Sequence, residues 1–95
     1  MTSTPASQIR PVGQNAIIVA HVTKLDGTSL GGVNLQIFLV APDGTLSLQP
    51  GTTNTDINGD AAGSFSQLVP GKWGMIFKST VDGQSISSSA YVTFV

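Results

Sequence analysis

The sequence predicts an all-β domain, a sandwich of two sheets with about seven strands. Three observations carry that expectation. Turn-forming pairs recur along the chain: Asp26-Gly27, Asp43-Gly44, Asn58-Gly59, Pro70-Gly71 and Asp82-Gly83. Glycine reaches positive φ cheaply, and Asp or Asn bonds its own backbone, so each pair stops a strand. Between the pairs, apolar residues alternate with period two, and no segment carries a 3.6-residue period. Finally, only 9% of the residues are charged and there is no Glu. Ser, Thr, Asn, Gln and Gly must therefore supply the polar surface, which suits strands and turns better than helices.

The strands are expected near 8–12, 15–24, 33–40, 45–49, 61–69, 73–80 and 86–95. Alternation assigns their faces. Ala16, Ile18, Ala20 and Val22 point inward on the second strand, and Val33, Leu35, Ile37 and Leu39 on the third. Trp73, Met75 and Phe77 do so on the sixth, and Ile86, Ala90, Val92 and Phe94 on the last. Seven short strands separated by regular turns make two facing sheets over a core about 10 Å thick. The chain has 95 residues, enough for one domain and a modest core. Residues 1–13 are polar and read as a loose N-terminal arm, leaving 14–95 as the domain.

Composition also excludes function classes. The net charge is −1, with Arg10, Lys24, Lys72 and Lys78 the only basic residues, so no nucleic-acid footprint is expected. No apolar run reaches the ~20 residues of a membrane span, and Met1–Pro11 does not read as a secretory signal. Without Cys there is neither a disulfide nor a thiolate site. His21 is the single histidine and sits within a strand, and no Gly-x-Ser-x-Gly elbow accompanies it. No catalytic residue, cofactor or metal site is expected. Asp56, Asn58 and Asp60 have the spacing that opens a calcium loop, but no Glu is available to close one, and turn chemistry explains the same residues.

A resemblance then appears. Val22-Thr23 leads into Asp26-Gly27 and Leu30-Gly31-Gly32-Val33, followed by Asp43-Gly44-Thr45-Leu46-Ser47. Thr55-Asp56-Ile57-Asn58-Gly59-Asp60-Ala61 reads as a Thr-Asp-x-x-Gly-x-Ala hairpin, and Pro70-Gly71-Lys72-Trp73 stands where Gly-x-Tyr is usual. In this order the pieces resemble a bacterial immunoglobulin-like domain of the invasin/intimin type, from Gln14 to Val95. The resemblance implies an immunoglobulin-like sandwich that spaces or adheres on bacterial surfaces; similar domains decorate phage heads and tails. The expected role is non-enzymatic and structural or adhesive, most readily a head-decoration or tail-associated virion component. A bacterial surface adhesin repeat is the alternative, and a carbohydrate-binding module centred on Trp73 is a further one. Expected partners are a capsid or tail lattice, a host surface or a glycan. The corresponding location is the virion surface, alternatively the bacterial cell surface.

The outward positions nominate a docking surface. Ile17 and Val19 face out on one sheet; Phe38, Val40, Ile76 and Tyr91 face out on the other. Phe38, Ile76 and Tyr91 are expected on neighbouring strands, where they would form one apolar patch. Ile9 and Arg10 of the arm complete the candidate interface.

Overall fold

A computed structural model describes residues 1–24, 26–49 and 52–95. The alternating segments become nine strands among those residues: β1 (Thr2–Thr4), β2 (Ser7–Arg10), β3 (Ala16–His21), β4 (Asn34–Val40), β5 (Leu46–Leu48), β6 (Thr53–Asn54), β7 (Asp60–Phe65), β8 (Gly71–Val81) and β9 (Gln84–Phe94). One sheet has the order β1-β3-β7. The other runs β2-β9-β8-β4-β5, with β6 also paired to β4. Its centre is the β8–β9 hairpin, two 11-residue strands joined by Asp82-Gly83. Both turn residues have positive φ, 50° and 77°, as a two-residue turn matched to strand twist requires.

The core follows the predicted faces. Ala16, Ile18, Ala20, Val22, Leu35, Met75, Phe77, Ala90, Val92 and Phe94 are almost wholly inaccessible. Ile37, Trp73 and Ile86 are half-buried and pack against this cluster. Ala16, Ala20, Ala61 and Gly63 of the three-stranded sheet contribute small residues to the core beside Ile18, and the larger sheet contributes Met75, Phe77 and Phe94. At Gly63 even one methyl would come within 2.9 Å of Met75 Sδ and 3.1 Å of Phe77 Cζ. Phe65 meets Phe94 edge to face, with centroids 5.5 Å apart.

The N-terminal segment corrects the expectation of a loose arm at 1–13. β1 pairs antiparallel with β3, from Thr2 opposite His21 to Thr4 opposite Val19. After Pro5 the chain crosses to the other sheet, where β2 runs parallel to β9, from Ser7 opposite Tyr91 to Arg10 opposite Phe94. Backbone pairing at two sheet edges holds this segment, so it needs no apolar alternation of its own. Hydrogen bonds from Tyr91 N–H to Ala6 O (2.9 Å), Val95 N–H to Arg10 O (3.0 Å) and Val12 N–H to Val95 O (3.0 Å) frame the parallel ladder. β6 is the second strand beyond the predicted seven; it has only two residues.

Met1 lies by Val22 and Val81, whereas Val95 lies by Arg10 and Val12. β9 runs the length between them. The two ends of the chain thus sit at opposite ends of a body measuring 39 × 21 × 19 Å.

Candidate functional site

The outer face of the five-strand path is the candidate site, and the register builds it in rows. Ile9, Thr93 and Lys72 form the first row. Ser7, Tyr91, Gly74, Val40 and Leu46 form the second. Ser89, Ile76, Phe38 and Leu48 form the third, and Ser87, Lys78 and Gln36 the fourth. Rows on one face are two residues apart, or about 7 Å, so the side chains of adjacent rows meet. The result is a continuous apolar surface. Tyr91 is 44% exposed, Leu46 54%, Leu48 57% and Ile9 71%, with Phe38, Val40 and Ile76 half-exposed between them.

Gly74 shapes the middle of this surface. A Cβ there would touch Val40 Cβ at 3.4 Å and Tyr91 Cε1 at 3.6 Å, so the bare backbone lets the tyrosine ring lie across β8 toward Val40. Lysines then lean inward from the flanking rows. Lys72 Nζ stands 4.3 Å from the Tyr91 ring centroid, and Lys78 Nζ stands 5.0 Å from that of Phe38. Such contacts contribute about 0.5–1 kcal/mol each at exposed sites and hold the ammonium groups over the rings. No carboxylate lies in the four rows.

The structure brings Ile9, Phe38, Ile76 and Tyr91 onto this one face. Arg10 is separated from them: alternation turns it to the other side of β2, where its Nε donates to Gln8 Oε1 at 3.1 Å. Gln8 in turn donates to Ile17 O across the sandwich edge. Leu46 and Leu48 belong to the patch, although sequence reasoning did not nominate them. Their signal was the strand 45–49, whose apolar positions needed the β4 register to be placed.

The other nominated residues resolve into structural contacts. His21 Nδ1 and Asp60 Oδ1 lie 2.7 Å apart on opposed positions of β3 and β7. This pair is on the outer face of the smaller sheet. The Asp56 carboxylate accepts from Asn58 N–H at 2.8 Å and from Asp60 N–H at 3.0 Å, so turn chemistry accounts for the 56–60 spacing. Trp73 is half-buried and its indole N–H donates to Val69 O at 3.0 Å. The rest of the ring packs against the core cluster, which is a structural role for Trp73.

The Thr-Asp-x-x-Gly-x-Ala hairpin has a job for every marked residue. Buried Thr55 accepts from Val33 N–H at 2.9 Å and donates to Leu30 O at 2.8 Å. Asp56 caps the turn. Gly59 has φ +79°, and a Cβ on it would sit 2.6 Å from Val22 O. Ala61 enters the core. Gly31 completes the fit, since a Cβ there would lie 2.6 Å from Asp56 O. The Leu30–Val33 and Thr55–Ala61 motifs are therefore two halves of one packed corner.

Neither protein-family models nor curated protein sequences gave a match to this chain. Solved structures did. The D0-D1 domain of intimin superposes with a TM-score of 0.71 at 22% identity, covering 99% of this chain and 46% of that one. The D00-D0 domain of intimin gives a TM-score of 0.70, again at 22% identity, with 99% and 45% covered. The chain thus spans somewhat under half the length of each of those structures. The fold is an immunoglobulin-like sandwich, similar to those intimin domains.

Proposed function

We propose that this protein is a non-enzymatic structural and adhesive module, and that it docks a protein partner through the outer face of the larger sheet. The observation that carries this reading is the unbroken apolar surface formed by Ile9, Tyr91, Val40, Leu46, Ile76, Phe38 and Leu48. Apolar side chains gathered on one exposed face, and rimmed by polar residues, mark an interaction surface. Its layout also suits an interface: aromatic side chains lie near the middle and lysines at the margin.

The mechanism is holding, not chemistry. The one histidine is tied to Asp60, and the Asp26, Asp43 and Asp56 carboxylates accept bonds within their own turns. The elongated body with ends at opposite poles supports a spacer that displays one lateral face. The intimin likeness supports placing such a module at a bacterial surface. A virion placement, on a capsid or tail lattice, would use the same face in the same way.

Phe38→Ser with Tyr91→Ser tests the reading. The double variant should fold, because both residues lie outside the core, and should lose adhesion or assembly. Binding to whole bacterial cells and cosedimentation with capsids or tails distinguish the two placements. Undiminished attachment by a folded double variant would sink the docking role.

A further inference from the structure

Beside the apolar patch, the same face changes character. Above the Phe38 row, β4, β8 and β9 line an open groove of about 670 Å³. That volume falls in the range of small-ligand sites, roughly 300–1,000 Å³. Its polar lining comes chiefly from Asn34, Gln36, Lys78, Thr80, Ser85 and Ser87. We infer that this groove is a binding site for a short acidic saccharide, one carrying a carboxylate on a ring rich in hydroxyl groups.

The lining has the matching chemistry. Hydroxyl and amide side chains both donate and accept, which is what vicinal sugar hydroxyls require. Gln36, Thr80, Ser85 and Ser87 make no side-chain hydrogen bond to the chain among the described residues, so their capacity is available to a ligand. Asn34 is held in place: its Nδ2 donates to Thr52 Oγ1 at 2.8 Å and Asn54 Oδ1 at 3.0 Å. Ser79 Oγ, at the same spot, donates to the Asn34 carbonyl at 2.7 Å. Asn34 is thereby fixed with both amide donors spent, and its Oδ1 remains to accept from a ligand hydroxyl.

Charge selects the ligand class. Lys78 is the one charged group lining the groove, and none of the five Asp residues does so. Its ammonium, leaning toward Phe38, stands at the border of the groove, where a ligand carboxylate would gain a charge-assisted hydrogen bond. A peptide fits the groove less well. β8 and β4 are paired on both sides here, so a strand could add only along β9 before Tyr91, where β2 does not reach, which is the rim of the groove and not its floor. A nucleic acid would need more than one cation and a stacking ring within the groove. Adjacent strands lie about 4.8 Å apart, so a groove across three of them accommodates about two or three sugar rings.

This inference stands independently of the docking role of the apolar half. Its test is a heteronuclear NMR titration of the whole protein with trigalacturonate, at low ionic strength, alongside maltotriose and citrate. Trigalacturonate should shift the amides of Gln36, Lys78, Thr80, Ser85 and Ser87, and both controls should bind more weakly. Lys78→Gln should weaken trigalacturonate binding by about tenfold, as loss of one charge-assisted contact implies. Gln36→Ala should weaken it without altering the spectrum elsewhere, which separates recognition from misfolding. The inference is overturned by absence of shifts, by equal binding of citrate, by an unaffected Lys78→Gln variant, or by shifts centred on Tyr91 instead.

Discussion

Thr55 is the residue on which the corner of the fold turns. It is the buried polar side chain among a core of apolar ones, and it satisfies both Val33 N–H and Leu30 O. Thr55→Val keeps the shape and removes both bonds. The cost should be about 1–3 kcal/mol, because two backbone groups are left without a partner; urea unfolding measures it. Gly59→Ala should cost at least as much, roughly 1–3 kcal/mol, since it combines a positive φ with a methyl forced against Val22 O. Asp56 and Gly59 were legible as turn residues from their own chemistry. Thr55 was legible only through the motif, because its partners lie 22 and 25 positions away. The His21–Asp60 contact, 39 positions apart, needed the β3–β7 register and could not be read from the chain.

At the level of elements, legibility followed the apolar signal. β3, β4, β8 and β9 alternate strongly and formed where expected, with ends shifted by a few residues. β1 reads Thr-Ser-Thr and earns its pairing through backbone bonds at a sheet edge, so it leaves no hydrophobic trace, whereas β2, Ser-Gln-Ile-Arg, overlaps the strand expected near 8–12. The turns between strands carry a titration signature. Asp26 is held below the usual carboxylate range by the Thr28 hydroxyl at 2.7 Å and then by the Thr28 N–H at 3.0 Å. Asp43 is lowered by the Thr45 N–H at 2.9 Å. Because the folded pKa values are depressed, the stabilisation is present above the unfolded value of 3.8 and is lost as pH falls through the folded values. Urea midpoints followed below pH 5 should therefore drop, and Asp26→Asn with Asp43→Asn should flatten that acid limb.

For the whole molecule, the sheet order was the part hidden in the sequence. The strands β4, β8 and β9 were expected as neighbours and are, but the apolar face extends further, to Ile9 on one side and to Leu46 and Leu48 on the other. Those additions depend on which strand lies at each edge, a non-local matter that alternation alone does not encode. The same dependence explains Arg10: a single step along β2 puts it on the opposite face from Ile9. Conversely, the placement of polar and apolar halves on one sheet was unreadable until the rows were aligned, since Phe38 and Gln36 are close in sequence yet belong to different chemical surfaces.

The parallel pairing of β2 with β9 gives the molecule a direction of strength. A pull that separates the two ends of the chain slides β2 along β9, and every rung of that ladder is strained together. A pull on the Asp82-Gly83 tip would instead part β8 from β9 one rung at a time. Force spectroscopy through the two ends should therefore record a higher rupture force than pulling between one end and the tip. Gln8→Pro should lower the end-to-end value, because the parallel register directs the Gln8 N–H to Tyr91 O. A chain whose second strand grips its last in this way resists tension as a tether does, most stiffly along the line on which a flow or a moving surface would draw it.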